Sequence, residues 1–60
     1  MTIISVFVIW EEAKETIEKI EHDFPCFTEV TPLEDGWAEF CVNCRVEDAK
    51  AIEDRLARWV

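Results

Sequence analysis

Apolar residues fill the start of the chain almost without a break, Ile3-Ile4-Ser5-Val6-Phe7-Val8-Ile9-Trp10, and most of them are β-branched or aromatic. With no turn former inside it, that run predicts a strand over 3–10. At Glu11 the period changes. Ala13, Ile17, Ile20 and Phe24 recur at helical spacing among acids and lysines, which predicts an amphipathic helix over 11–23. Lys14–Glu18 and Glu15–Lys19 stand four residues apart, where opposite charges support a helix by a few tenths of a kcal/mol. Pro25 ends that helix, because the residue before a proline is pushed out of the α region.

Residues 26–33 and 37–44 flank Glu34-Asp35-Gly36, and Gly36 supplies the positive φ that a tight hairpin requires. A three-residue loop puts Cys26, Thr28, Val30 and Pro32 on one face beside Ala38, Phe40, Val42 and Cys44. The other face carries Phe27, Glu29, Thr31 and Leu33 with Trp37, Glu39, Cys41 and Asn43. The first set is the better core. A two-residue Asp35-Gly36 turn would slip the register by one and mix polar with apolar positions. Residues 47–59 form a second amphipathic helix through Ala49, Ile52, Leu56 and Trp59, with Glu47 and Asp48 in its first turn and Arg55 and Arg58 in its last, as the helix dipole favours.

The element order is therefore βαββα. Trp10-Glu11-Glu12-Ala13-Lys14 echoes Val46-Glu47-Asp48-Ala49-Lys50, as two similar βα units would. The expectation is an α+β fold with a three-stranded sheet and two helices on one face, ferredoxin-like lacking the fourth strand, in one domain over 1–60. Strand 1 is expected to run parallel to strand 3. A central strand 1, in the order 2-1-3, is the alternative.

With the outer edge of strand 1 vacant, its N–H and C=O groups have no strand partner, and no Lys, Pro or charge protects that edge. Strand 1 is apolar on both sides, with Ile3, Phe7 and Ile9 on one and Ile4, Val6, Val8 and Trp10 on the other. A sheet covered on one side only should alternate to polar on the open side. The surface expected to be covered by another chain, most simply a second copy, is Ile4, Val6, Val8, Trp10, Phe27, Leu33 and Trp37.

A 60-residue chain of 7.1 kDa buries only about 60% of its unfolded surface, so a partner, a metal or a disulfide would steady it. Fourteen acids against six bases give a net charge of −8, which argues against direct contact with nucleic acid or anionic membrane. The charge is uneven: six acids against two lysines in 11–23, four acids and no base in 24–44, and balance in 45–60. Glu11, Glu15, Glu18 and Glu21 make an acidic stripe on the first helix. It could face a protein partner, or mimic nucleic acid as small phage-type inhibitors do. One charge per 5.4 Å helical turn is sparse beside one per about 1.7 Å in duplex DNA, and a solubilising face explains the same residues.

His22, Cys26, Cys41 and Cys44 are the inventory of a Cys3His zinc site, which makes a zinc-stapled module one alternative. Three residues apart on one strand, however, Cys41 and Cys44 point to opposite faces. Cys26 and Cys44 serve equally as small core fillers. No metal or cofactor is expected. An odd cysteine count and the lack of a signal-peptide or membrane-spanning pattern point to a cytoplasmic protein with reduced thiols.

The one histidine has no nucleophile beside it, and a single glycine cannot build a phosphate loop, so catalysis is not expected and no catalytic residue is assigned. The reading is a small acidic protein-interaction module, a dimeric binder or inhibitor of a protein partner. The alternative is a small-molecule-binding regulatory domain of ferredoxin-like type, with polar groups converging near Trp10-Glu11 and Asn43–Arg45.

Overall fold

The computed structural model describes residues 1–59, running β1 (Thr2–Ile9), α1 (Trp10–Asp23), β2 (Cys26–Pro32), β3 (Trp37–Cys44) and α2 (Val46–Arg55). The three strands form one sheet in the order β1-β3-β2. β3 is thus central, and the alternative with strand 1 in the middle does not hold. The fold is α+β, a ferredoxin-like arrangement without the fourth strand, and the outer edge of β1 has no neighbouring strand among the described residues.

Both ladders are antiparallel, with Val6 opposite Phe40 in one and Val30 opposite Phe40 in the other. The parallel pairing expected for β1 and β3 is therefore corrected. α1 carries the chain back, so β1 and β2 run the same way. The hairpin then reverses β3 against both, and β3 sits between them.

The hairpin keeps the register of a three-residue loop, Cys26 opposite Cys44 and Pro32 opposite Ala38. Its turn is tighter than the register alone requires. Asp35 as well as Gly36 has positive φ, 58° and 81°, and the Trp37 N–H donates to the Glu34 carbonyl at 3.1 Å. Positive φ at two successive central residues is the mark of a type I′ turn, for which Asp-Gly is a favoured pair. The Leu33 N–H also donates to the Trp37 carbonyl at 2.8 Å, so Trp37 faces two residues and the register is preserved.

One core lies between the sheet and the helices. Even-numbered strand residues Val6, Val8, Ala38, Phe40, Val42 and Cys44 meet Ala13, Ile17 and Ile20 of α1 and Ile52 and Leu56 beside them, with Phe40 fully buried. This corrects the expected covered surface. Val6 is 7% exposed and Val8 fully buried, while Ile4 packs partly against the core. The reason is parity. In the β1–β3 ladder even residues oppose even residues, so β1 shares the inward face that β3 sets with Phe40 and Val42.

Each helix begins where the echoed motif begins, at Trp10 and at Val46. Neither has a side-chain cap. Instead the Trp10 N–H, which no helical carbonyl can satisfy, donates to Gly36 C=O at 2.9 Å and ties the start of α1 to the hairpin tip. α1 ends as its sequence dictates: Phe24 is extended before Pro25, and its N–H closes onto Ile20 C=O. α2 is shorter than the expected 47–59. Beyond Arg55 the backbone tightens into turns, such as Trp59 N–H to Leu56 C=O at 2.9 Å, which still bring Leu56 and Trp59 to the core.

Candidate functional site, the open face of the sheet

The face turned away from the helices is built from odd-numbered residues in four cross-strand rows. The outer rows are Ile3–Asn43–Phe27 and Ile9–Trp37–Leu33; the inner ones are Ser5–Cys41–Glu29 and Phe7–Glu39–Thr31. Large apolar groups stand in solvent here: Phe27 is 74% exposed, Ile3 68% and Phe7 58%, with Leu33 and Trp37 also exposed. Single exposed apolar residues are ordinary, but five on one sheet face make a patch of the kind that marks an interface.

Of the residues expected at an interface, Phe27, Leu33 and Trp37 lie on this face, and Trp10 is at its margin, next to the hairpin tip. Ile4, Val6 and Val8 do not, and Ile3 and Phe7 take their place. The sequence contained the signal, since Ile3, Phe7 and Ile9 stand out as one side of strand 1. Choosing between the two sides required the register of β1 against β3.

Down the centre runs a polar seam. Ser5 Oγ donates to Glu39 Oε2 at 3.3 Å, and Cys41 Sγ lies 3.5 Å from Ser5 Oγ. One cleft opens beside it, and a second lies at the hairpin end. The first, of about 350 Å³, is lined by Ile3, Phe27, Thr28, Glu29, Cys41 and Asn43. The other, of about 390 Å³, takes in the inward-set Val30, Pro32 and Ala38 together with Trp10, Leu33 and Trp37. Asn43 Oδ1 is covered and makes no hydrogen bond, alone in this respect among the described side chains.

The electrostatics divide the molecule in two. Every Lys and Arg is within 4 Å of a carboxylate on the helical side: Lys14 with Glu11, Lys19 with Glu15, Arg45 with Asp48, Lys50 with Asp54, Arg55 with Asp23 and Arg58 with Glu12. Lys14 thus pairs one turn back, with Glu11, and not with Glu18 as the spacing suggested. The open face has no base, and its Glu29 and Glu39, like Glu34 and Asp35 in the turn, have no cation within 4 Å among the described residues. The acidic stripe of α1 is diluted by contrast. Glu11 and Glu15 are paired with lysines, Glu21 accepts a hydrogen bond from Thr28 Oγ1, and of the four only Glu18 keeps neither contact.

Asp23 is held below the usual carboxylate range by hydrogen bonds from His22 and then Arg55, and the Asp48 hydrogen bond pushes Arg45 up. Burial raises the thiols of Cys26 and Cys44, which are free and stand opposite each other on the core side. Cys41 lies on the open face and His22 bonds Asp23 on the surface, so the four soft ligands are not brought together. Among the described residues no group of three or more His, Cys, Asp or Glu is placed to hold a metal ion. Nor is any helix among them long and apolar enough to cross a membrane.

What the face can do chemically follows from these groups. It offers apolar area at both ends, uncompensated carboxylates between them and an acceptor in want of a donor, which is equipment for recognition. Set against protein-family models, curated proteins and solved structures, the chain matches none of them.

Proposed function

We propose that the chain is a small protein-interaction module that self-associates through the β1 edge and presents its open sheet face to a protein partner. The observation that supports this most is the coincidence, on one face, of Ile3, Phe7, Phe27, Leu33 and Trp37 in solvent with carboxylates that no base among the described residues neutralises. Charge separates the two modes of contact. Two open faces pressed together would bring Glu29 and Glu39 of both copies into one low-dielectric layer with no cation between them, a costly arrangement. β1 has no charged side chain, so two copies can add edge to edge, and the added main-chain bonds would satisfy groups that now face water. Such a dimer keeps the carboxylates of the two copies at least two strands apart and leaves the open faces in line.

The test is the molar mass of reduced protein in solution, by size-exclusion chromatography with light scattering. The expected mass is near twice 7.1 kDa, falling to the monomer in Phe7→Lys with its far-UV circular dichroism unchanged. Lysine is chosen because it is the residue with which edge strands are commonly kept from pairing. A monomeric wild-type chain, or a dimer that Phe7→Lys leaves intact, would remove the edge from the proposal.

A further inference from the structure

The cleft at the Ile3–Asn43–Phe27 row combines three unmet demands. Asn43 Oδ1 is covered and has no hydrogen-bond partner among the described residues, although buried acceptors in folded proteins nearly always find a donor. Glu29, one row along on β2, carries a carboxylate with no cation within 4 Å among the described residues. Phe27 presents its ring to solvent. The side chains flanking Asn43, Ile3 and Phe27, are both more than two-thirds exposed, so rotation about their χ angles can uncover the acceptor.

We propose that this cleft binds an arginine side chain of a different protein, a proposal that rests on reading the open face as a protein-binding surface. A guanidinium meets all three demands together. It donates one N–H to Asn43 Oδ1 and another to the Glu29 carboxylate, and its plane lies on the Phe27 ring. Asn43 and Glu29 are diagonal neighbours across the β2–β3 ladder, about 7–8 Å apart at the backbone. Two hydrogen bonds of about 2.9 Å on opposite sides of one guanidinium span such a gap. A lysine ammonium, compact and strongly hydrated, cannot stack and bridge at once. Nor does a second copy provide the group, because Arg45, Arg55 and Arg58 are each engaged by an acid on the helical side.

The experiment is an NMR titration of isotope-labelled, reduced protein with N-acetyl-arginine amide, free arginine, N-acetyl-citrulline amide, N-acetyl-lysine amide and the capped tripeptide Leu-Arg-Leu. With the arginine amide the expected result is saturable shifts at the Asn43 side-chain amide, Phe27 and Glu29. The neutral citrulline analogue should bind at least tenfold more weakly and the lysine analogue at least threefold. The tripeptide should bind at least threefold more tightly than the single residue, because its leucines reach the apolar flanks. Glu29→Gln and Asn43→Leu should each weaken binding fivefold or more, and Glu18→Gln should not.

Equal response to citrulline, or shifts centred on the α1 carboxylates, would overturn the site. Free arginine binding as tightly as the tripeptide would overturn a protein as its source. Should Asn43→Leu not fold, Glu29→Gln, at an exposed position, decides alone. The light-scattering mass of the same samples keeps the two proposals apart. A monomer that shifts on the arginine amide removes only the edge pairing, and a dimer that does not shift removes only the arginine cleft.

Discussion

Neighbouring residues of β1 provide a matched pair of perturbations. Val6 is 7% exposed and faces the core opposite Phe40; Phe7 is 58% exposed and faces solvent opposite Glu39. Asparagine at each position is polar and uncharged, so neither variant creates a charge effect with Glu39. It is also too short to reach past the sheet edge to water, as a lysine at position 6 could. Val6→Asn loses about 1.5–3 kcal/mol of buried side chain and leaves an amide short of partners, about 1–3 kcal/mol more. Its sum, about 2.5–6 kcal/mol, is a large part of the roughly 3–9 kcal/mol that a chain of this size commands. Phe7→Asn gives up strand preference and some partial contact, about 1 kcal/mol.

Urea denaturation read by tryptophan fluorescence measures both, since no tryptophan is replaced. With a denaturant slope of about 1 kcal/mol per molar for a small domain, the Val6 variant should lose about 3 M in midpoint or be unfolded at the outset. The Phe7 variant should lose about 1 M. Running each at two protein concentrations tenfold apart removes self-association from the comparison, because only a coupled dimer shifts its midpoint with concentration. Equal losses, or a larger loss at Phe7, would refute the assignment of the two faces of β1 and with it the open face itself.

The remaining predictions are smaller in scale. Gly36→Ala should lower stability by about 1 kcal/mol through its φ of 81° alone, since an added Cβ would meet nothing within 4 Å; a thermal melt measures it. The lowered Asp23 carboxyl belongs to the folded state, so its contribution is complete above the unfolded carboxylate pKa and disappears as pH falls through the folded one. Denaturation of wild type and Asp23→Asn should therefore differ most above the unfolded carboxylate range, from about pH 5 upward, and the difference should shrink steadily as the solution is acidified below it. In the native protein iodoacetamide should modify Cys41 first, Cys26 at least tenfold more slowly, and Cys44 only on unfolding, as peptide mass spectrometry would record.

The strands and helices were legible because each holds one period long enough to stand out: alternation in 37–44, and Ala13-Ile17-Ile20 at helical spacing in α1. The hairpin register was legible for a related reason. Only one register puts Val30 beside Phe40 and Thr28 beside Val42 while keeping Glu29 and Glu39 in water. β1 was different. It is apolar on both sides, so no alternation says which side turns inward, and that depends on partners in β3 some thirty residues away. The Asn43 acceptor was equally hidden. Its place on the open face followed from the hairpin, but its flanking by Ile3 required the β1–β3 ladder. The pairing of every base on the helical side could not be read either, since Arg55 and Arg58 reach Asp23 and Glu12 only after α2 packs beside α1.

The hydrogen bond from the Trp10 N–H to Gly36 C=O gives the hairpin tip an uncommon status. Tips of two-stranded ribbons are the usual places to graft an epitope, insert a purification tag or accept a length change, because their backbone answers to nothing else. Here the tip is anchored to the junction where β1 becomes α1, a bridge of 26 residues along the chain. A peptide inserted between Asp35 and Gly36 would displace that carbonyl, leave the first amide of α1 without its acceptor, and loosen the crossover as well as the loop. Engineers seeking a permissive attachment point should look instead to Val46, exposed at the start of α2, whose side chain takes no part in such an anchor.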